Sequence, residues 1–475
     1  MKPKVCLIRC PAITMPQPPD LGLAYIGAVL KNAAYPVKVL DLNWELYYAR
    51  PPETPSPWDG YDDDALEKFG ADLFRNHLPQ IAARIDELAR DGFNVFGLSV
   101  WASNKTSSLA LARTIKARHP ASVVIFGGPE CMPRWSGEAF AAEPALDAVV
   151  YGEGEETVLE ILRSIEESGA VRPAPGCYAR ESGKMRNGGP RPSPVFSALP
   201  IPDFNDYDLS LNNGRLGITF TRGCAHRCRF CSLTGYIAHL KTRPAEHIFF
   251  EIKQRLERHR VRCFEERCPS VSSNLPELKK VCEMIVSHRL KFTWTGQCVF
   301  HPNLSYDLLG LMHRAGCHHL VFGLESGSQK VTDLMGRGYR LTDAENNLRD
   351  LKKAGIHVTL NVLVGYPGET EEDFRETLRF LEKNRDHIDS LGAVSTLWIS
   401  PYALVANQTE RLNIIAPQGN IYGRSWRTKD DSNTPEIRED RRNRLLQRAG
   451  SLNLVSPAHL HVLQTSETSH SKTPK

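Results

Sequence analysis

Short apolar runs alternate with longer amphipathic segments over the first 170 residues of the chain. The runs are rich in Val, Ile and Leu, as in strands of a parallel sheet covered on both faces, and they lie at 5–9, 37–42, 95–100, 123–128 and 147–152. Helical patterns lie at 23–33, 64–90, 105–118 and 155–167. This alternation predicts a five-stranded, doubly wound parallel α/β domain over residues 1–170.

A second alternating series begins near residue 206. Its predicted strands lie at 215–221, 261–265, 291–297, 318–323, 357–364 and 392–399. Its predicted helices lie at 245–259, 275–289, 304–315, 343–354 and 371–385. Six strands with five interleaved helices predict a partial (β/α)6 barrel over residues 206–405. The segment between the two series, 171–205, is rich in proline and predicts an extended linker.

The pattern weakens beyond residue 405. Thr434-Pro435-Glu436 predicts one more helix that ends near Gly450, because Thr suits the cap and Pro the first turn. Its arginines alternate with acidic residues, which favours a solvated helix face over an anion site. The tail from Ser466 has the composition of a disordered segment. We therefore expect residues 406–475 to form a helical extension with a disordered tail.

Composition and charge narrow the function classes. A hydrophobic share of 41% with 24% charged residues predicts folded domains. A net charge of +4 over 475 residues, without basic blocks, predicts no nucleic-acid partner. Arg9 and Pro11 interrupt the apolar run at the N-terminus, so it does not resemble a secretion signal, and no stretch has the roughly 18 apolar residues of a membrane span. We expect a cytoplasmic protein whose 12 cysteines are reduced thiols or metal ligands.

Three cysteines with close spacing form the most specific pattern in the chain. Cys224, Cys228 and Cys231 lie in TRGCAHRCRFCSLTG (221–235), directly after a predicted strand. A short loop with this spacing can turn three thiolates toward one point, and thiolates suit iron–sulfur clusters or zinc. The alternatives are a zinc site completed by His226 or another cysteine, and a chance grouping of buried thiols. Cys263 and Cys268 do not form the second C-x2-C knuckle of a zinc ribbon.

The C-x3-C-x2-C loop with Phe230 before its last cysteine resembles the signature of the radical S-adenosylmethionine (SAM) superfamily. The resemblance implies that Cys224, Cys228 and Cys231 hold a [4Fe–4S] cluster, and that Phe230 lies near the adenine of SAM. In this family the free iron binds the amino and carboxylate groups of SAM. An electron, from a reductant such as flavodoxin or ferredoxin, then cleaves SAM and produces a 5′-deoxyadenosyl radical.

Three further segments resemble the same family. VFGLESGS (321–328) implies cofactor contacts by Glu325, Ser326 and Gly327, with Glu325 reaching the SAM amino group or ribose. FTWTGQCVF (292–300) implies that Thr295 and Gln297 line the pocket. LVGYPGET (363–370) resembles a G-x-P-G-E-T segment whose glycines permit close approach and whose following helix offers N–H groups to a polar ligand.

One segment departs from the family pattern. CFEERCPSVSSNLPE (263–277) keeps Glu265 and Glu266 at the end of a predicted strand, but it continues irregularly and contains Cys268. The departure leaves a non-catalytic cobalamin- or cluster-binding sensor as one alternative function. For Cys268 we expect an inert thiol rather than a redox group, because reactivity requires a lowered pKa.

The N-terminal domain, which opens with PPDLGLAYIGAVLKNAAYPVKVLDLN (18–43), resembles that of the cobalamin-dependent subfamily. The resemblance implies that cobalamin lies over the carboxyl ends of the sheet, against small residues that admit a macrocycle. The candidates are Ser99, Gly127, Gly128, Gly152 and Glu153, with Gly154 and Glu155 in the same turn. No D-x-H-x-x-G motif follows the first strand, so we expect cobalamin without a histidine ligand.

Together these resemblances imply an enzyme that methylates an unactivated carbon of a small-molecule substrate, using a [4Fe–4S] cluster, SAM and cobalamin. A radical SAM cyclisation or rearrangement without methyl transfer is the alternative within enzymes. The sensor is the alternative outside enzymes.

Overall fold

The computed structural model describes residues 2–12, 18–49, 66–237, 239–416 and 421–455. The chain divides into two compact units, Met1–Gly217 and Ile218–Lys475. Within the described residues, no helix is both long enough and apolar enough to cross a membrane. The predicted disordered tail from Ser466 lies outside the described residues.

The first unit is a sheet with helices between its parallel strands. The strands are β1 (Lys4–Arg9), β2 (Val37–Asp41), β3 (Phe93–Ser99), β4 (Val123–Gly127), β5 (Ala148–Val150), β6 (Cys177–Glu181) and β7 (Lys184–Asn187). The helices are α1 (Leu21–Asn32), α2 (Leu42–Ala49), α3 (Leu66–Arg90), α4 (Lys105–Arg118), α5 (Glu138–Ala141) and α6 (Glu155–Ser168).

The strand order of the first unit is β2-β1-β3-β4-β5-β6-β7, and β1 to β5 pair in parallel. This order confirms the doubly wound pattern, because the five predicted strands all form. The strands read as apolar runs because both faces of the sheet are covered. Phe96 and Phe126 are fully buried in the resulting core.

The structure differs from the predicted extended linker at 171–205. Residues 177–187 form the hairpin β6–β7, which adds two antiparallel strands to the sheet beside β5. Cys177 and Ala179 are fully buried there. The end of the segment lies against α1, where the Asp203 N–H donates to the carbonyl of Ala24 at 3.0 Å. The prolines indicate that this segment is not helical. They do not show that a short strand within it pairs with the edge of a sheet.

The second unit contains a six-stranded sheet in the order β15-β14-β13-β12-β11-β8. The strands of this sheet are β8 (Arg215–Ile218), β11 (Cys263–Glu266), β12 (Thr293–Cys298), β13 (Cys317–Glu325), β14 (His357–Val364) and β15 (Ser390–Thr396). The short strands β9 (Thr221–Arg222) and β10 (Lys241–Thr242) pair with each other, as do β16 (Ile414–Ile415) and β17 (Arg427–Thr428). Its helices are α7 (Leu233–Tyr236), α8 (Ala245–His259), α9 (Leu275–Ser287), α10 (Tyr306–Arg314), α11 (Gln329–Met335), α12 (Leu341–Ala354), α13 (Glu371–Lys383) and α14 (Pro435–Ser451).

The strands β11 to β15 pair in parallel in chain order, as expected for a partial (β/α) barrel. Helix α13 begins at a capping box, because the Thr370 hydroxyl accepts from the N–H of Asp373 and the Asp373 carboxylate accepts from the N–H of Thr370. The cap therefore pairs the N–H group of Asp373, one of the helix N–H groups that the sequence analysis assigned to a polar ligand.

Helix α14 differs from the predicted solvated helix. Thr434 caps it as expected, accepting from the N–H of Ile437, but Arg438 and Arg441 are only 1% and 4% exposed. The expectation of a solvated face is therefore wrong for these two arginines. Long arginine stems can bury against apolar surface while the guanidinium finds acceptors, and a charge pattern does not show this.

Candidate active site

A loop at residues 223–232, here called the cysteine loop, carries the three candidate ligands. Strand β9 directly precedes the loop and pairs antiparallel over two residues with β10, which follows α7. Gly223 has φ +79°, and a side chain at this position would collide with the carbonyl of His239. Glycine is therefore required where the loop leaves the strand.

Arg229 fixes the cysteine loop to helix α11. Its backbone N–H donates to the carbonyl of Met335 at 2.8 Å, and its guanidinium donates to the carbonyl of Leu334 at 2.7 Å. These carbonyls lie at the end of the helix, where they lack partners within it. The carbonyl of Arg229 in turn accepts from the N–H of Val405.

The three thiols lie in a sheltered environment. Cys228 is buried, and Cys224 and Cys231 are half-buried. Burial raises the pKa of Cys231 to about 11. Burial also raises the pKa of Cys228, although the positive charge of Arg337 opposes this rise. Within the described residues, no three His, Cys, Asp or Glu side chains converge closely enough to hold a single metal ion. A [4Fe–4S] cluster spreads its thiolates over separate irons, whereas zinc gathers four ligands at about 2.0–2.3 Å around one ion.

Arg337 lies directly against the cysteine loop. Its Nη1 donates to Sγ of Cys228 at 3.1 Å, and its Nη2 donates to the carbonyl of Gly323 at 2.5 Å. Burial alone would lower its pKa, but the neighbouring Tyr339, Cys228 and Glu325 raise it, so the guanidinium stays charged. The guanidinium carbon also lies 5.9 Å from the ring centre of Phe230, within cation–π range.

Glu325 ends strand β13 beside Arg337. Its φ is +64°, a strained value for a residue with a side chain. A Cβ at position 323 would collide with the Glu325 carboxylate and lie 2.9 Å from Nη2 of Arg337. Gly323 therefore leaves the space that both charged side chains occupy. Burial raises the pKa of Glu325, and Arg337 opposes that rise.

Three buried polar atoms around the cysteine loop have no hydrogen-bond partner within the described residues. They are Nε2 of His226, Nε of Arg337 and Oη of Tyr366. Burial, followed by the charge of Arg337, lowers the pKa of His226 to about 4, so its ring is neutral near pH 7. Buried polar groups are rarely left without partners, so these atoms fit a site that holds a polar ligand.

Ser326 and Gly327 pack on helix α13. The N–H of Gly327 donates to Oγ1 of Thr377 at 2.9 Å. A Cβ at 327 would lie 2.6 Å from Cβ of Phe380 and 2.7 Å from Cα of Thr377. Ser326 is fully buried, with its hydroxyl 3.2 Å from that of Thr377. Packing against α13 explains why Ser326 is buried and why position 327 is a glycine. The Ser326 hydroxyl contacts Thr377 and not Arg337.

Thr295 and Gln297 lie on one face of strand β12. Trp294, Gly296 and Cys298 alternate with them and are buried, whereas Thr295 is half-buried and Gln297 is exposed. Alternate residues of a strand point to opposite faces. The two polar side chains therefore share the more accessible face of the strand, and their place in a pocket stays a prediction.

Hydrogen bonds to Glu266 hold the irregular segment 263–277. This carboxylate is buried and accepts from the N–H groups of Phe220 and Cys268 at 2.8 and 3.0 Å. The thiol of Cys268 donates to it at 2.6 Å. Burial raises the pKa of Cys268 well above its usual value, which fits the expected inert thiol.

The segment 363–370 lies beneath helix α14. Arg441 donates to Oε2 of Glu369 at 3.0 Å, and the same oxygen accepts from the N–H of Gly365 at 2.7 Å. A side chain at 365 would collide with the aliphatic stem of Arg438. The close approach that Gly365 permits is thus made by a protein side chain and not by a ligand.

Small residues line the carboxyl edge of the sheet in the first unit. Ser99 and Gly127 are neighbours in the register of β3 and β4. Among the residues that the structure describes, a Cβ at Gly127 or Gly152 would meet no heavy atom within 4 Å. Gly152 and Glu153 follow β5, and Gly152 has φ +76°. Free space beside backbone fits a large flat ligand.

Gly128 has a different role from its neighbour. Its φ is +109°, and a Cβ there would lie 2.7 Å from the carbonyl oxygen of Val100. Glycine is therefore required for packing between two loops. The structure thus separates Gly127, which borders free space, from Gly128, which does not.

Residues 218–381 match the radical SAM superfamily. These residues therefore form a radical SAM domain within the second unit. The matched region begins in β8, includes the cysteine loop and ends within α13. It therefore contains Glu325 and Arg337 as well as the three cysteines.

The chain is also similar to relatives and solved structures beyond the radical SAM domain. It is 24% identical over 474 residues to a cytidylyl-2-hydroxyethylphosphonate methyltransferase of Streptomyces wedmorensis, covering 90% of this chain and 84% of the relative. Its fold resembles that of OxsB, a cobalamin-dependent SAM radical enzyme solved with aqua-cobalamin and SAM (TM-score 0.70, 15% identity, 99% of this chain and 71% of that one). It also resembles the radical SAM methyltransferase TsrM of Kitasatospora setae, solved with cobalamin and a [4Fe–4S] cluster (TM-score 0.66, 17% identity, 89% and 82%).

The sequence did not single out Arg337 of the radical SAM domain. Arg337 follows Met335 and Gly336 at the end of α11 and lacks any spacing rule that ties it to the cysteines. The Gly336 φ of +72° ends the helix and turns the chain back toward the cysteine loop. The available signal was a helix-ending glycine, Gly336, followed by Arg337. This signal does not show that Cys228 is the partner of the arginine.

Proposed function

We propose that this radical SAM enzyme reductively cleaves SAM at a [4Fe–4S] cluster and methylates an unactivated carbon of a small molecule with cobalamin. One observation carries the proposal. The cysteine loop lies beside two opposite charges, the half-buried Glu325 and the buried Arg337, and Arg337 donates a hydrogen bond to Cys228.

The cysteine loop would hold the cluster through Cys224, Cys228 and Cys231. When bound, the cluster would supply an electron and one iron without a protein ligand. Arg337 stabilises the anionic form of the Cys228 sulfur through its hydrogen bond. The half-buried position of the other two thiols limits contact with water while leaving room for a ligand.

The charged pair suits the amino-acid end of SAM, which carries an ammonium and a carboxylate group. Glu325 would bind the ammonium group and Arg337 the carboxylate group. Nε of Arg337, which has no hydrogen-bond partner among the described residues, offers a further donor. Phe230 would contact the adenine, while Thr295 and Gln297 would line the pocket from the accessible face of β12.

The first unit would hold cobalamin over the carboxyl edge of its sheet. Free space at Gly127 and Gly152 supports this assignment, with Ser99 and Glu153 as further contacts. Cobalamin would supply the methyl group for transfer. The cobalamin in OxsB and TsrM and the methyltransferase named among the relatives support the same assignment. A flavodoxin or ferredoxin would provide the electron for SAM cleavage.

Product analysis on the full chain tests the proposal. The protein is given iron and sulfide under anaerobic conditions, loaded with hydroxocobalamin, and incubated with SAM and a strong reductant. We expect 5′-deoxyadenosine from cleavage and S-adenosylhomocysteine from methylation of the reduced cobalamin. The Cys228→Ala variant should yield no deoxyadenosine, whereas Cys263→Ala, a half-buried cysteine outside the loop, should match the unaltered protein.

Each other outcome identifies an alternative. Deoxyadenosine without S-adenosylhomocysteine would indicate cyclisation or rearrangement without methyl transfer. A full complement of cluster iron without either product would indicate the sensor and overturn the enzyme assignment.

A further inference from the structure

A buried hydroxyl without a partner lies just beyond the end of strand β14. Tyr366 is the second residue after this strand and is fully buried, and within the described residues its Oη has no hydrogen-bond partner. Its carbonyl accepts from the N–H of Glu369 at 2.9 Å and from Nδ2 of Asn433 at 3.4 Å, so the backbone is fixed. A buried hydroxyl that stays unpaired destabilises the folded state, and phenylalanine would fill the same space without this effect. Tyr366 therefore points to an acceptor that the described residues do not supply.

The ring of Tyr366 packs in an apolar cluster that holds the cysteine loop. Met335 and Val405 are buried members of the same cluster. The carbonyl of Met335 accepts from the N–H of Arg229 at 2.8 Å, and the N–H of Val405 donates to the Arg229 carbonyl at 2.9 Å. Arg229 directly follows Cys228 in the loop. The phenol therefore lies among the side chains that position the Cys228 part of the candidate site.

The charges that act on the phenol show what lies near its hydroxyl. Burial raises the pKa of Tyr366 to about 12, and Arg229 and Arg411 oppose this rise. A Cys228 thiolate raises the pKa further. The phenol is therefore protonated near pH 7 and has a proton to donate. Arginine side chains carry donors only, whereas sulfur can accept, so of these three neighbours only Cys228 lies where an acceptor is available.

We propose that the Tyr366 hydroxyl donates a hydrogen bond to a sulfur of the [4Fe–4S] cluster, at the corner that Cys228 holds. The inference rests on the proposed function and deepens it, since it assigns a residue that tunes the reduction potential of the cluster. Arg337 already donates to Sγ of Cys228 at 3.1 Å, so two donors from different elements would serve the same corner. Hydrogen bonds to the sulfurs stabilise the more negatively charged reduced cluster and thereby raise its reduction potential.

A redox titration tests this inference without SAM or substrate. The full chain is given iron and sulfide under anaerobic conditions, and the reduced cluster is followed by electron paramagnetic resonance. Tyr366→Phe keeps the ring and removes the donor, so its potential should become more negative. At one applied potential, the ratio of reduced to oxidised cluster should fall by up to about tenfold, and tenfold corresponds to about 59 mV for a one-electron couple. The control is Tyr35→Phe, which removes a hydroxyl bonded to Glu166 in the first unit and should leave the potential unchanged.

Three further measurements separate this hydrogen bond from a role in packing alone. The iron-free Tyr366→Phe protein should unfold at the same temperature as the unaltered protein or at a higher one, because the hydroxyl has no partner among the described residues to lose. Electron–nuclear double resonance of the reduced cluster in H2O and D2O should show one exchangeable proton fewer in Tyr366→Phe. Replacing Tyr366 by 3-fluorotyrosine, a stronger donor of similar shape, should make the potential less negative.

The outcomes separate this inference from the proposed function. An unchanged potential with unchanged proton couplings at full iron content would overturn the inference while leaving the cluster intact. So would weaker SAM binding at an unchanged potential, since the hydroxyl would then serve SAM. If Tyr366→Phe lost its iron, the fluorotyrosine protein would decide, and the absence of a shift there would overturn the inference. An unaltered protein that retained no cluster would overturn the proposed function and this inference together.

Discussion

Arg337 and Cys228 are 109 positions apart in the chain, yet Nη1 of the arginine donates to Sγ of the cysteine at 3.1 Å. The guanidinium is buried beside this thiol, and the carbonyl of Gly323 and the ring of Tyr339 complete its surroundings. A cation in this position acts on any charge that the sulfur carries.

Replacing Arg337 should lower the reduction potential of the cluster. A hydrogen bond to a charged group contributes about 1.5–3 kcal/mol, which corresponds to about 60–130 mV for a one-electron couple. We expect Arg337→Gln to shift the potential to more negative values by this order, because the added electron loses a nearby positive charge. A redox titration followed by electron paramagnetic resonance measures the shift. Arg340→Gln, an exposed arginine nearby, is the control, and an equal shift in both variants would contradict a specific effect.

Replacing Glu325 should weaken SAM binding without removing the cluster. Glu325→Gln keeps the shape of the side chain and the strained backbone at φ +64° but removes the charge that would pair with the ammonium group. Loss of about 1.5–3 kcal/mol raises the dissociation constant about 10- to 100-fold. Anaerobic calorimetry on the cluster-loaded protein measures it, with the exposed Glu246→Gln as control. Unchanged affinity at full iron content would exclude Glu325 from the SAM site.

The adjacent glycines 127 and 128 should respond oppositely to alanine. At Gly127 the added methyl group meets no atom of the described residues within 4 Å, so Gly127→Ala should fold normally and bind hydroxocobalamin more weakly. At Gly128 the methyl group would press on the Val100 carbonyl at a backbone conformation that alanine resists. Gly128→Ala should therefore lower the melting temperature. Thermal unfolding and cobalamin titration of both variants check this, and equal melting temperatures for the two would contradict it.

Glu266 should make the second unit less stable as the pH rises. Burial raises its pKa to about 7 in the folded protein, from an ordinary value of 4.5, against the hydrogen bonds from Cys268 and Phe220. The folded state then holds a proton that the unfolded state has released, so this stability is fully present below about pH 4.5 and is lost as the pH rises through about 7. A shift of this size corresponds to about 3 kcal/mol.

The pH dependence can be assigned with neighbouring variants. Chemical unfolding between pH 5 and 8 should show the decline in the unaltered protein and in Glu265→Gln, a partly exposed carboxylate paired with Arg267. In Glu266→Gln the decline should be reduced, whatever the absolute stability of that variant. A slope that is the same in all three proteins would rule out Glu266 as its source.

Much of the fold could be predicted because strand and helix periodicity are local properties. The five parallel strands of the first unit and the helices that Thr370 and Thr434 cap follow from residues close together in sequence. The hairpin β6–β7 could not be predicted in this way, since Val150 pairs with Cys177 only because β5 offers a free edge. That edge exists only once the sheet has formed.

The sequence by itself determined the alternating α/β pattern of the two units, the three cysteines on one loop and the small residues after the strands of the first unit. Only the tertiary structure decided which charged and polar residues are buried together. In the folded protein Arg337 donates a hydrogen bond to Cys228, and the buried Arg441 donates one to Glu369. Gly327 packs closely on α13. A run of residues encodes its own periodicity, but the burial and partner of a side chain depend on atoms from distant elements, which no local pattern contains.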